Sequence, residues 1–103
     1  MRLLEQHWLV SADIRGGFHW YEQKEKGLGR RFNREVHAAL KRLRTDALLY
    51  SIRFSDVRRA NLPSFPYGVF YFLGEDAVII IGVLHSARDS QAELDVRRQT
   101  FGE

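Results

Sequence analysis

No cysteine occurs in the 103-residue sequence, and this absence excludes disulfide bonds, thiolate metal sites and cysteine nucleophiles. Long apolar runs are absent too, because the longest, residues 77–84, is far shorter than the roughly 20 residues that cross a bilayer. The sequence also lacks a secretory leader with its apolar core. Together these absences predict a protein that stays in the cytoplasm and enters no membrane.

The basic residues are concentrated in the middle of the chain. The formal net charge is +3, yet residues 30–59 carry nine basic and three acidic side chains, and residues 60–103 carry three basic and six acidic ones. A concentrated positive region attracts polyanions or an acidic protein partner, and a solvated helix face is the alternative explanation. The length predicts a single domain over residues 1–103 with one core of its own.

A short strand and a helix are predicted at the start. Residues 2–10 suit a first strand that ends near Trp8. Ser11 then has the side chain of a helix N-cap, with Asp13 favourably placed in the first turn. Apolar residues at helical spacing extend this helix to about Lys24.

A second helix is predicted after a glycine-containing link. A clear apolar stripe runs from about Gly29 to Thr45, with basic side chains over much of the remaining surface. Two helices joined by so short a link predict an antiparallel helical hairpin. Within the first helix, Gly16 and Gly17 either permit close approach of the second helix or mark a local break.

Three strand candidates follow the helices. Residues 50–62 are rich in strand-forming side chains but are interrupted near residues 55–56. Residues 67–73 are aromatic and β-branched, and residues 77–84 are apolar on both faces, which is typical of a strand shielded on each side. The short turn at residues 74–76 predicts that the last two candidates form an antiparallel hairpin.

The end of the chain allows one short helix, with Leu94, Arg97, Arg98 and Phe101 on it. The predicted fold class is therefore α+β. It has an N-terminal strand, an antiparallel helical hairpin packed on a small, mostly antiparallel sheet, and a short C-terminal helix.

A set of short motifs recurs in a definite order along the chain. They are Ala12-Asp13-Ile14, Trp20-Tyr21-Glu22, Gly27-Leu28-Gly29, Phe32, Arg58-Arg59, Phe65-Pro66-Tyr67, Phe70-Tyr71 and His85-Ser86-Ala87-Arg88-Asp89. This ordered set resembles the RelE/ParE superfamily, the toxins of bacterial type II toxin–antitoxin modules. The resemblance covers roughly residues 2–90.

The resemblance implies a fold, a partner and a target. The fold would be one strand, a helical hairpin and three antiparallel strands. The partner would be a small cognate antitoxin whose C-terminal segment wraps the toxin, and the positive middle region suits an acidic wrapping peptide. Such modules stabilise plasmids. RelE-like members cut messenger RNA on the ribosome, whereas ParE-like members inhibit DNA gyrase.

The RelE-type ribonuclease set is incomplete in this sequence. Such cleavage needs basic groups around the scissile phosphate, a base for the 2′-hydroxyl and an acid for the leaving oxygen. Where the RelE pattern places an arginine after the aromatic that opens the third strand, this chain has Gly68 after Tyr67. It also has no lysine beyond Lys41 and no tyrosine beyond Tyr71.

The resemblance is therefore closer to ParE, as His85-x-x-Arg88 also indicates. We expect a toxin that binds a protein target such as gyrase, and the alternative is a ribosome-dependent ribonuclease with a rearranged site. The catalytic candidates in that alternative are Arg59, His85 and Arg88. For His85 the other interpretation is a hydrogen-bonded histidine that closes the core.

Five basic residues are predicted to bind partners. They are Arg58, Arg59, Arg88, Arg34 and Lys41. Strand alternation sends the side chains of Arg58 and Arg59 to opposite faces of the sheet, so one can contact a partner while the other packs locally.

No metal site or cofactor is expected. His7, His19 and His37 lack metal-ligand spacing with any pair of carboxylates. The glycines at 27 and 29 follow a helix rather than a strand, so they do not form a nucleotide-binding loop.

Overall fold

Five strands form one sheet in the computed structural model, which describes residues 1–101; residues 102–103 of the predicted domain lie outside the described residues. The strands are β1 (Leu3–Gln6), β2 (Ile52–Phe54), β3 (Val57–Asn61), β4 (Tyr67–Leu73) and β5 (Ala77–His85). Their order across the sheet is β1-β5-β4-β3-β2, with β1 parallel to β5 and every other pair antiparallel.

The helices cover both faces of this sheet. Helices α1 (Val10–Lys24) and α2 (Leu28–Asp46) form the hairpin on one face, which we call the hairpin face, and a 3-10 turn, Ala47–Leu49, follows them. Helix α3 (Gln91–Thr100) packs on the opposite face, which we call the α3 face. The predicted α+β architecture and its C-terminal helix are thereby confirmed.

The hairpin face holds the larger core. Apolar side chains of α2, among them Phe32, Val36 and Leu43, are fully buried against the sheet. A Cβ atom on Gly17 would lie 2.5 Å from Cζ of Phe32, so this glycine permits the close approach of the two helices. Helix α1 is continuous across Gly16 and Gly17, and the alternative of a local break is wrong.

The smaller core on the α3 face explains why β5 is apolar throughout. Leu94 of α3 is 1% exposed and lies in one cluster with Ile79, Ile81, Phe70 and Phe72 of the sheet. Because α3 covers one face and the hairpin the other, both sets of alternating β5 side chains are buried, as predicted for this strand.

The region between β1 and α1 differs from the prediction. Strand β1 ends at Gln6 rather than near Trp8, and Leu9, not Ser11, is the N-cap residue of α1. The N–H of Leu9 donates to Nδ1 of His7 at 3.1 Å, and no side chain of residues 1–101 caps the first turn of the helix. Ser11 lies inside the helix, where its hydroxyl accepts from Nε2 of Gln6.

The interruption predicted in residues 50–62 is a tight turn between β2 and β3. Ser55 has a φ of 49°, the one non-glycine residue with positive φ among residues 1–101. The first of the three strand candidates is therefore two strands, which brings the sheet to five.

A buried ion pair joins α1, α3 and β5. Pairing with β4 shifts by one residue at Ile81, which leaves its carbonyl outside the regular ladder. Nη1 of Arg97 donates to this carbonyl at 3.0 Å and to Oδ2 of Asp13 at 2.6 Å. Oδ2 of Asp13 also accepts the N–H of Val83 at 3.0 Å. The side chains of Arg97 and Asp13 are only 6% and 8% exposed.

Replacing Asp13 with asparagine should strongly destabilise the fold. The change leaves the guanidinium of Arg97 buried beside a neutral amide, and loss of one partner of a buried pair costs about 3–5 kcal/mol. Urea denaturation measures the free energy of unfolding. The control is Arg42→Gln, since the pair of Arg42 with Asp46 is largely exposed and its loss should cost less than about 1 kcal/mol. Equal losses in the two variants would contradict the buried-pair account.

The stability of the protein should fall as the pH falls through the range in which His7 titrates. His7 is 1% exposed, and burial first, then the charge of Arg97, holds its pKa below the ordinary 6.5, against a smaller opposing effect of Asp13. A lowered folded-state pKa means that the neutral ring stabilises the fold above about pH 6.5 and that this contribution is lost on acidification. Protonation of Nδ1 also removes the acceptor for the N–H of Leu9.

The check is the urea midpoint measured from about pH 7.5 to about pH 5 for the natural protein and for His7→Gln. The glutamine variant should be less stable at neutral pH and should lose less stability on acidification. Parallel curves for the two proteins would rule out His7 as the titrating group.

Candidate functional site

Arg59 is held across the α3 face of the sheet by neutral partners. Its Nε donates to Oδ1 of Asn61 at 2.6 Å, and its Nη2 donates to Oγ of Ser86 at 2.5 Å. The guanidinium carbon lies 5.3 Å from the centre of the Phe70 ring. Since no carboxylate of residues 1–101 pairs with it, its positive charge is fixed in place and is not neutralised.

Gly68 makes room for this arginine. Arg59 and Gly68 lie on adjacent strands, and a Cβ atom on Gly68 would lie 2.5 Å from Nε of Arg59. Gly68 is also the position at which this chain departs from the RelE pattern, and the side chain of Arg59 passes directly over it. The arrangement brings an arginine over this part of β4 from the neighbouring strand.

Arg59 borders a shallow concave surface of about 250 Å³ that we call the cationic depression. Its basic side chains are Arg53, Arg59 and Arg88. Burial first, and the charge of Arg53 second, lower the pKa of Arg59 from its ordinary value, although an arginine stays protonated at neutral pH. The repulsion between these like charges is relieved when an anion binds between them.

Arg88 joins the depression to α3. Its Nη2 donates to both carboxylate oxygens of Glu93, at 2.6 and 3.0 Å, while 51% of its side chain remains exposed. Glu93 also accepts from Nη2 of the buried Arg97 at 3.2 Å. The position of Arg88 therefore depends on how α3 is seated.

His85 lies on the other face of the sheet. Its ring makes an edge-to-face contact with Tyr67, with centroids 5.3 Å apart, and its Nδ1 accepts the N–H of Ala87 at 3.0 Å. It borders a second concavity of about 360 Å³ between α1 and β5, which Arg88 also reaches. Of the three ribonuclease candidates, Arg88 shares one concavity with Arg59 and another with His85, while Arg59 and His85 lie on opposite faces of the sheet.

The remaining predicted partner-binding residues lie outside the depression. Arg58 faces the hairpin side, as strand alternation predicted, and its Nη1 donates to the carbonyl of Tyr50 at 2.6 Å. Arg34 and Lys41 are exposed on α2, in the helical layer on the opposite face from α3.

Sequence reasoning missed Arg53 and the two neutral partners of Arg59. Arg53 lies in β2, and only the pairing of β2 with β3 brings it beside Arg59. Asn61 offered a signal, since it follows Arg59 by two residues in a strand and so shares its face. Ser86 lies 27 residues after Arg59, and nothing in the sequence indicated that the two would be in contact.

Residues 1–101 contain neither a metal-binding cluster nor a membrane-spanning helix. No group of three histidine, aspartate or glutamate side chains in that part of the chain could hold a metal ion. Within the same residues, every helix is too short or too polar to cross a membrane.

Comparison with known proteins identifies the family. Residues 4–90 match the family model described as "ParE toxin of type II toxin-antitoxin system, parDE". A solved structure described as "Chromosomal ParDE TA system from P. aeruginosa" superimposes with a TM-score of 0.74 over 82% of this chain and 96% of that one, at 15% identity, which supports the fold. No curated protein matches significantly. The resemblance to ParE-like toxins is confirmed, and the chain belongs to the ParE toxin family.

Proposed function

We propose that this chain is a single toxin domain of a type II toxin–antitoxin module and acts in the cytoplasm by binding a protein target such as DNA gyrase. A small cognate antitoxin neutralises it. Family membership supports the toxin assignment. The observation that carries the mode of action is the composition of the cationic depression, which holds anion-binding arginines and no histidine, the side chain that most often transfers protons in catalysis.

A ribonuclease needs one group to take the 2′-hydroxyl proton and another to protonate the leaving oxygen. The ionisable side chains of the depression are Arg53, Arg59, Arg88 and Asp89. Arginine does not exchange its proton near neutral pH, and the charge of Asp89 opposes the approach of a phosphodiester. His85, the natural acid–base candidate, faces the opposite side of the sheet. Binding is therefore favoured over cleavage.

Exposed apolar side chains at both edges of the sheet support a wrapping antitoxin. Strands β1 and β2 are the edge strands, and large apolar side chains on or beside them are 37–74% exposed. They are Leu3, Leu4, Trp8 and Leu9 at the β1 edge, and Leu48, Leu49 and Ile52 at the β2 edge. Large exposed apolar surfaces and unpaired strand edges mark protein-binding regions. The structure that this chain resembles is described as a ParDE toxin–antitoxin system.

Two assays run side by side test the mode of action. Expression of the chain alone should arrest growth, and the purified protein should block gyrase supercoiling. Primer extension on translated messages should show no new cuts. Specific cuts with normal supercoiling would overturn the binding proposal in favour of the ribonuclease alternative, and normal growth would overturn the toxin assignment.

Replacing Arg59 with alanine should reduce growth arrest and target inhibition by at least about tenfold, because a fixed charge-assisted contact contributes roughly 1.5–3 kcal/mol. The activity of Arg59→Lys should lie between that of the natural protein and that of Arg59→Ala. Lysine keeps the charge but lacks the forked guanidinium that reaches both Asn61 and Ser86. Colony counts under induction give the readout. Arg15→Gln, an exposed change on α1, is the matched control. Full activity of Arg59→Ala would exclude the cationic depression.

Replacing Gly68 with alanine should displace Arg59. The new methyl group would fall 2.5 Å from Nε, so the arginine must leave Asn61 or the strand must shift, at about 1–3 kcal/mol of unfolding free energy. The test is a double-mutant cycle with Arg59→Ala, measured by urea denaturation. The double variant should be more stable than Gly68→Ala alone, because the clash is gone. Simple additivity would contradict this packing.

A further inference from the structure

A row of basic side chains on α2 faces solvent. Arg30, Arg34 and Lys41 are spaced four and seven residues apart, close to one and two helical turns, and all three are exposed. The buried residues Phe32, Val36 and Leu43 each follow one of these basic residues by two positions. Two positions turn a helix of 3.6 residues per turn by about 200°, so the buried residues lie on the opposite side of the helix. We call Arg30, Arg34 and Lys41 the cationic stripe.

The carboxylates near this stripe are already engaged. On α2 itself, Glu35 accepts the N–H of Ser64 at 3.0 Å, and Asp46 accepts from Nε of Arg42 at 3.3 Å. At the start of the helix, Glu22 accepts the backbone N–H groups of Gly27 and Gly29. The hydrogen bond from Gly27 first, and the charge of Arg30 to a smaller extent, lower the pKa of Glu22, so this carboxylate lies within electrostatic reach of Arg30 without forming an ion pair. Among the ion pairs of residues 1–101, none includes a residue of the cationic stripe. All three side chains are thus exposed and none is held in an ion pair.

The exposed face of α2 along the stripe is polar, and the nearest apolar concavity, of about 450 Å³, lies at one end, where Met1 and Ala38 border it beside Lys41. Ten large apolar side chains of residues 1–101 are exposed, and none of them lies in α2. The core of a protein–protein interface is apolar and depleted of charged residues, which describes the two sheet edges better than this helix. A peptide partner on the stripe itself would therefore gain mainly ion pairs of the kind found at an interface rim.

The phosphodiester backbone of a nucleic acid fits the stripe better. It is a regular row of charges, about one per 1.7 Å of duplex axis, and its binding without base contacts is electrostatic. From Arg30 to Lys41 the stripe covers eleven steps along the helix, or about 16 Å at 1.5 Å per residue. We propose that the cationic stripe binds the phosphodiester backbone of a nucleic acid without reading its sequence. This binding is separate from the cationic depression and does not depend on the toxin's protein target.

The experiment is fluorescence anisotropy of the full chain with a labelled 20-base-pair DNA duplex and, in a second arm, a single-stranded RNA 20 nucleotides long. The natural protein should bind with a log–log salt slope of about −2.7 or steeper on DNA, since each neutralised phosphate contributes about −0.9. Arg34→Gln with Lys41→Gln should weaken binding by roughly tenfold and reduce the slope by about 1.8. The arm that binds identifies the source of the phosphates.

The matched control is Arg15→Gln with Lys24→Gln on α1, which removes the same charge from exposed positions off the stripe. It should change affinity less than about threefold. Three results would overturn the proposal: no binding in either arm at low salt, equal weakening by the two double variants, or displacement of the nucleic acid by polyglutamate of equal charge as effectively as by unlabelled duplex. Because the assay needs neither gyrase nor living cells, its failure is distinguishable from failure of the toxin proposal.

Discussion

The buried pair between Asp13 and Arg97 holds the three layers of this protein in register. Strand β1 accompanies only the first half of β5, so the second half has no neighbouring strand on that side. Asp13 and Arg97 take the place of that strand by binding the N–H of Val83 and the carbonyl of Ile81. Because they come from α1 and α3, one polar contact joins both helical layers to the sheet.

The geometry of the candidate site depends on the contact between Asp13 and Arg97. Arg97 also binds Glu93, Glu93 binds Arg88, and Leu94 of the same helix fills the space beneath the cationic depression. Helix α3 lies beyond the residues that match the ParE family model, which end at 90. In this chain, one wall of the depression is therefore built by a segment outside the family match.

Burial and partners give the arginines of this chain different tasks. Arg97 is buried between two carboxylates and serves the fold. Arg59 is half-buried with neutral partners, which keeps its charge available at a fixed position. Arg34 projects into solvent from α2, where only its charge matters. A count of charges in the sequence treats these three arginines as equal. In the structure they differ in how far each is removed from water and in whether a carboxylate pairs with it.

Local signals in the sequence predicted most of the fold. The aromatic run of β4 matched its observed bounds, and the periodicity of α2 was right to within one residue at each end. The errors have both local and long-range causes. Ser11 is not the N-cap because α1 already begins at Val10, and an apolar run gives no sign of the shift in pairing at Ile81. Arg97 could not be told apart from other basic residues of the predicted helix, because its partner Asp13 lies 84 positions away in the sequence.

Hydrogen exchange at the amide of Val83, measured by NMR under native conditions, tests this account most directly. Protection as high as that of the central amides of β4 is expected, because Asp13 accepts this N–H in a site that only unfolding opens. Exchange at the rate of an unpaired strand edge would contradict it, since the charged pair would then not be substituting for a strand.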